Sequence, residues 1–155
     1  MRASGILAGG LALIAAGVAL MLVVGRLDRS FETNGEWIYF TGRNEEGERI
    51  AYSGAAFPGA SAGALSCASC HGRDAEGGRH RMFMLVMDAP DIRWSTLAAD
   101  AHEGGHDGAY DLATFRLAAV EGRHPDGEPL SDLMPRWQLS NRDLADLAAY
   151  LQSLD

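Results

Sequence analysis

Cys67, Cys70 and His71 stand together as Cys-Ala-Ser-Cys-His, and no other stretch of the chain offers so dense a set of reactive side chains. Two thiols at this spacing with a histidine directly after them form the attachment pattern of a c-type haem. The thiols add across the two vinyl groups of one porphyrin, which leaves the imidazole under the iron as its proximal ligand. Two other chemistries use a Cys-x-x-Cys pair. A closed zinc site wants four Cys or His ligands, and the chain has only these 2 cysteines, with His80 the one histidine close by. A dithiol redox motif wants a strand before it and a helix after it, whereas Gly59 to Leu65 is a Gly-, Ala- and Ser-rich connection. The motif therefore implies one covalent haem c, and its single occurrence excludes a multihaem array of the usual attachment type.

A six-coordinate iron needs a second ligand, and Met134 in Leu133-Met134-Pro135-Arg136-Trp137 is the candidate. A thioether is soft and neutral, favours ferrous iron and fills the coordination shell. An isolated methionine reads as packing. This one follows a helix and a loop, is stiffened by Pro135 and precedes a capped terminal helix. Met82, Met84 and Met87, in the apolar run 82–87, read as flexible filling around a large apolar group. His80, His102, His106 and His124 are the alternative ligands. His102 and His106 have the spacing of a metal pair on one helix face, but Gly104 and Gly105 argue for a solvated loop.

Several elements must hold these residues. Glu36 to Phe40 is an aromatic segment whose periodicity fits strand or helix, and Thr41 to Ser53 reads as a small hairpin or loop around the polar turn Asn44-Glu45-Glu46-Gly47. Ser95 is a candidate cap for a short helix from Thr96. Asp111 is placed to cap a helix over Leu112 to Glu121 that Gly122 ends, followed by the loop His124-Pro125-Asp126-Gly127. The last helix starts at the Ser140 cap and carries an apolar stripe of Leu144, Leu147, Ala148, Leu151 and Leu154. No internal repeat is evident.

In this order of elements, the chain from Gly35 to Asp155 resembles the class I cytochromes c, the small all-α monohaem fold. The matching pieces are Gly35 to Phe40, Cys67 to His71, Pro90, Leu112 to Glu121, Met134-Pro135 and Asn141 to Leu154. The resemblance favours a helix for the first segment, with Gly35 and Tyr39 or Phe40 packed against Tyr150. It implies that the Pro90 carbonyl accepts a hydrogen bond from His71, which fixes the ring and raises its basicity. It also implies haem propionates that need donors, for which Trp137, Arg136, Tyr110, Trp94 and Arg93 are candidates. Thr41 to Ser66 departs from the family, which usually has only a few residues between first helix and haem motif.

Ile6 to Val24 is a run of 19 residues without a charge, long enough to span a bilayer at about 1.5 Å per residue. A cleaved signal peptide usually has a shorter apolar region closed by a small-x-small site, and this run ends Leu22-Val23-Val24-Gly25-Arg26. Residues 1–29 are therefore expected to be a single transmembrane helix and 30–155 one monohaem domain. Because haem c is attached outside the bacterial cytoplasm, the resemblance places the amino terminus inside and the domain on the periplasmic side of the inner membrane. Without Arg2, Arg26, Arg29 and Asp28, the remainder carries 10 arginines against 20 carboxylates, a formal −10, which makes nucleic acid an unsuitable partner. All 13 basic residues are arginine, so the lysine ring of mitochondrial-type cytochrome c is absent.

The function these features imply is electron transfer at the membrane, as a tethered carrier or as the cytochrome c subunit of a respiratory complex of the terminal oxidase or nitric oxide reductase type. The expected partners are the membrane and redox proteins or neighbouring subunits. No acid, base or nucleophile constellation suggests that the chain transforms a substrate by itself. The rival class is a haem enzyme or gas sensor with an open sixth position. A third reading gives the anchor an assembly role through Gly9, Gly10 and Gly17.

Overall fold

The structure, a computed structural model, describes residues 31–55, 65–82, 85–99 and 108–155. The expected anchor with Gly9, Gly10 and Gly17, most of the 59–65 connection, Phe83, Met84, His102 and His106 lie outside the described residues. Among the described residues no helix is long and apolar enough to cross a membrane. Glu32–Asp155 forms one compact unit.

Helix α1 (Asn34–Thr41) starts where Thr33 Oγ1 accepts from the Glu36 N–H, and it stops at Gly42, which takes the left-handed conformation at φ 64°. At the other end of the sequence, α5 (Asn141–Gln152) is capped by Ser140, whose hydroxyl accepts from Asp143 N–H at 3.1 Å. The two cross where Gly35 has no side chain. A Cβ there would collide with the Asp146 carbonyl and lie 2.8 Å from Tyr150 Cβ. The aromatic contact implied by the resemblance is present, with Tyr39 and Phe40 at 5.2 and 6.1 Å from the Tyr150 ring. Asn34 locks the crossing by donating to Asp143 and Asp146 at 3.0 and 2.8 Å. Tyr39 and Leu151, both 0% exposed, mark the centre of the core.

Between these helices come β1 (Tyr52–Gly54), α2 (Ala68–His71), β2 (Gly78–Met82), β3 (Leu85–Ala89), α3 (Trp94–Leu97), α4 (Leu112–Arg116) with a π-helical continuation over Leu117–Glu121, and β4 (Pro135–Trp137). The four strands among the described residues depart from the all-α expectation. The run rich in methionine contributes to both arms of an antiparallel ribbon, Met82 ending β2 and Leu85 to Met87 opening β3, with Gly78 opposite Ala89 through Met82 opposite Leu85, and the period of two in β3 buries Met87 between exposed Val86 and Asp88. The second ribbon joins β1 to β4, with Tyr52, Ser53 and Gly54 opposite Trp137, Arg136 and Pro135.

Ser95 does not cap a helix. The short α3 begins one residue earlier, and the Ser95 N–H and hydroxyl both donate to the Asp155 carboxylate, at 3.0 and 2.6 Å. The caps at Asp111 and the stop at Gly122 are as expected: Asp111 and Thr114 form a reciprocal capping box, and Gly122 is left-handed at φ 71°.

Two loops nonetheless share one backbone design. Gly42-Arg43-Asn44-Glu45-Glu46-Gly47-Glu48-Arg49-Ile50 and Gly122-Arg123-His124-Pro125-Asp126-Gly127-Glu128-Pro129-Leu130 follow their helices with one backbone pattern. Ile50 and Leu130 donate to the carbonyl of the helix-ending glycine, at 3.0 and 2.8 Å. Asn44 and His124 donate to the glutamate carbonyl four residues on, and Gly47 and Gly127 close the inner turn with φ of 81° and 89°. Arg43 and Arg123 even donate to equivalent carbonyls, Gly47 at 2.7 Å and Gly127 at 2.9 Å. The 41–66 segment thus begins with the loop design that precedes Met134.

Candidate functional site

The cysteines and histidine come from a single helical turn. Cys67 precedes α2, and its carbonyl accepts from His71 N–H at 2.9 Å, so Cys67, Cys70 and His71 are brought to one wall of a cavity of about 660 Å3. The turn is pinned on both sides. Tyr39 Oη donates to the Gly72 carbonyl at 2.7 Å, and Gly77 N–H donates to the His71 carbonyl at 3.0 Å. Gly77 is also a point of close backbone approach, since a side chain there would collide with the Ala89 and Pro90 carbonyls. That approach delivers Pro90 to the histidine.

His71 is 7% exposed. Its Nδ1 lies 2.9 Å from the Pro90 carbonyl oxygen. A carbonyl only accepts, so the proton sits on Nδ1 and the lone pair is on Nε2, the tautomer a metal ligand needs. Burial holds the His71 pKa below the ordinary histidine value and so favours the neutral ring. Burial also pushes the Cys67 thiol up to about 12 and raises Cys70, the reverse of the depressed thiolate of a dithiol redox motif.

Met134, Pro135 and Trp137 line the same cavity. Met134 N–H donates to the Ser131 carbonyl at 3.1 Å, closing a turn between Leu130 and β4. Trp137, 6% exposed, packs its ring on Tyr52 with centroids 4.9 Å apart. Leu97, Phe115, Ala118, Leu147 and Leu151 supply apolar walls.

Of the candidate propionate donors, Tyr110 and Arg93 line the cavity and Arg136 does not. The Arg136 guanidinium donates instead to the carbonyls of Leu130 at 3.1 Å, Ser131 at 3.3 Å and Met134. Arg93 is engaged by Asp91 and Glu76, and its hydrogen bonds hold the Asp91 carboxyl below the usual carboxylate range. Trp94 packs on Phe115 at 5.7 Å instead of facing the cavity. Tyr110 Oη sits 3.3 Å from His124 Nδ1, and both face the cavity. The part of Tyr39 in holding the haem-motif turn had no signal in the sequence. The Gly77-Gly78 pair was the visible sign of the close approach behind His71.

The volume lies within the range of roughly 300–1,000 Å3 of cofactor sites, and the walls are mostly apolar with few polar groups. Two thiols and one imidazole with a fixed tautomer are the donor set that one covalently attached haem requires, so the residues fit the group. A family model described as Cytochrome c matches residues 57–155. No curated protein and no solved structure matches the chain.

Proposed function

The chain belongs to the cytochrome c family and binds one covalent haem c through Cys67 and Cys70, and from that premise we propose an electron carrier with His71 and Met134 as axial ligands. When bound, the haem supplies an iron that accepts and returns one electron. The observation that carries the reading is that Met134 and the neutral, Pro90-anchored His71 line one buried cavity. The Pro90 carbonyl fixes the imidazole ring and strengthens its basicity, while the thioether favours the reduced form. The apolar walls exclude water and lower the local dielectric around the metal.

In this reading residues 1–29 tether the domain to the inner membrane with the haem domain on the periplasmic side. A tether raises the effective concentration of membrane partners without any new contact. The excess of carboxylates over arginines in the domain suits a partner with a basic docking face. The protein then acts as a tethered carrier or as the cytochrome c subunit of a respiratory complex.

The optical spectrum of the dithionite-reduced protein, recorded before and after adding carbon monoxide, tests the ligand assignment. Sharp low-spin bands unmoved by CO are expected. Met134→Ala should then make the bands CO-sensitive. Bands that shift readily in the parent protein would replace this reading with a haem enzyme or sensor that has an open sixth position.

A further inference from the structure

Met134 sits in a turn with no helix or strand of its own, and two features grip that turn from outside. Arg136 spreads one guanidinium across the carbonyls of Leu130, Ser131 and Met134, bridging both ends of the turn. Room for this comes from Gly122, where a Cβ would collide with Arg136 Nε. The Arg136 backbone is in turn paired with Ser53 of β1, while Tyr52 packs on Trp137 and Gln138 N–H donates to the Ala51 carbonyl at 2.8 Å. Strand β1 lies within the 41–66 segment that departs from the family.

We propose that Arg136 and strand β1 form a clasp on the Ser131–Met134 turn, making Arg136 and Tyr52 positioning residues that set how firmly Met134 holds the sixth position. This inference rests on the assignment of Met134 as a ligand. The chemistry suits arginine alone among cations: its five N–H donors form a rigid planar fork able to reach several carbonyls, whereas a lysine ammonium is a compact point charge. The segment between first helix and haem motif thereby acquires a purpose at the part of the cavity lining that carries Met134. It supplies the strand that stops the methionine turn from swinging outward.

The test is a titration of the ferric holoprotein with imidazole, followed in the Soret band, because imidazole binds only as Met134 leaves. Arg136→Gln should bind imidazole about tenfold more tightly than the parent. Arg136→Lys, which keeps the charge and the stem over Gly122, should bind at least about fivefold more tightly. Tyr52→Ala, which leaves Arg136 and the cavity residues in place, should tighten binding about threefold. Met134→Ala is the reference and should bind most tightly of all. Parent-like affinity in the Arg136 and Tyr52 variants, with tight binding in Met134→Ala, would overturn the clasp and leave the ligand assignment standing. Parent-like affinity in Met134→Ala itself would bring down the assignment and the clasp with it. A role in stability alone would lower the melting temperature of the variants and leave imidazole affinity unmoved.

Discussion

The loops Gly42–Ile50 and Gly122–Leu130 share their cap glycines, their inner turns and their arginine contacts, yet they lead to different places. Ile50 is followed almost at once by β1, while Leu130 is followed by Ser131 to Met134 before β4 begins. The two strands then pair with each other, so the loops return the chain from two helices into one ribbon. The group read as an axial ligand is carried by the stretch that the second copy has and the first lacks. The scaffold is repeated, and the chemistry sits in what interrupts the repetition.

The surroundings of the two cap glycines sharpen the contrast. The space where Gly42 would carry a side chain is taken by the Leu65 carbonyl, part of the backbone that leads into the haem motif. At Gly122 the same space is taken by the side chain of Arg136. Gly42→Ala should therefore be the more damaging change. It combines a left-handed alanine with a collision against backbone, a loss of about 3 kcal/mol in chemical denaturation of the holoprotein, with imidazole affinity unchanged in the protein that remains folded. Gly122→Ala should cost less, about 1–2 kcal/mol, because an arginine side chain can move aside. That movement opens the clasp, so imidazole should bind several-fold more tightly. If both variants lose equal stability and neither changes imidazole binding, the two glycines are equivalent and the contrast collapses.

What the sequence made legible follows from the range over which each signal acts. Cys67 to His71, the caps at Asp111 and Ser140 and the stop at Gly122 are local patterns, each decided within a turn or so of chain, and all are found where expected. Pro90 and the packing of Gly35, Tyr39 and Phe40 on Tyr150 came through the family resemblance, since their partners are distant in sequence. The pairing of β1 with β4 left no trace, because three-residue strands are too short to show a period of two. Arg136 looked like an anion binder because nothing in its neighbours reveals that three carbonyls of an irregular turn await its donors. The repeat stayed hidden because the two loops share only the glycines, the arginine and the glutamate, and their likeness lies in hydrogen bonds.

The polar side chains inside the turns test how deep the likeness runs. Asn44 Oδ1 accepts from Glu48 N–H at 2.8 Å, and Asp126 Oδ1 accepts from Glu128 N–H at 2.9 Å. The two reach the same backbone donor from different positions in the loop. Asn44→Ala and Asp126→Ala should each cost about 0.5–1 kcal/mol in denaturation, at the low end for exposed bonds. Losses that differ by more than about 1 kcal/mol would show that one turn depends on its side chain and the other on its backbone.

The smallest difference lies at the helix starts. The helix before the first loop is capped by the Thr33 hydroxyl, which does not titrate at acid pH, and the helix before the second by the Asp111 carboxylate, which does. The Thr114 N–H, and then its hydroxyl, hold the Asp111 carboxyl below the usual aspartate range. A carboxyl depressed in the folded state stabilises fully above its unfolded value of about 3.9 and loses that contribution as pH falls through the lower folded value. Asp111→Asn caps almost as well and carries no proton to gain. The melting temperature of the parent should therefore fall relative to Asp111→Asn as pH is lowered from about 5 towards 2, the window set by that depressed pKa. A Thr33→Ser variant, altered at the hydroxyl cap, should instead keep a constant offset from the parent over the same range. Parallel curves for the parent and Asp111→Asn would mean that the second helix does not depend on its charged cap, and that the two helix starts are interchangeable.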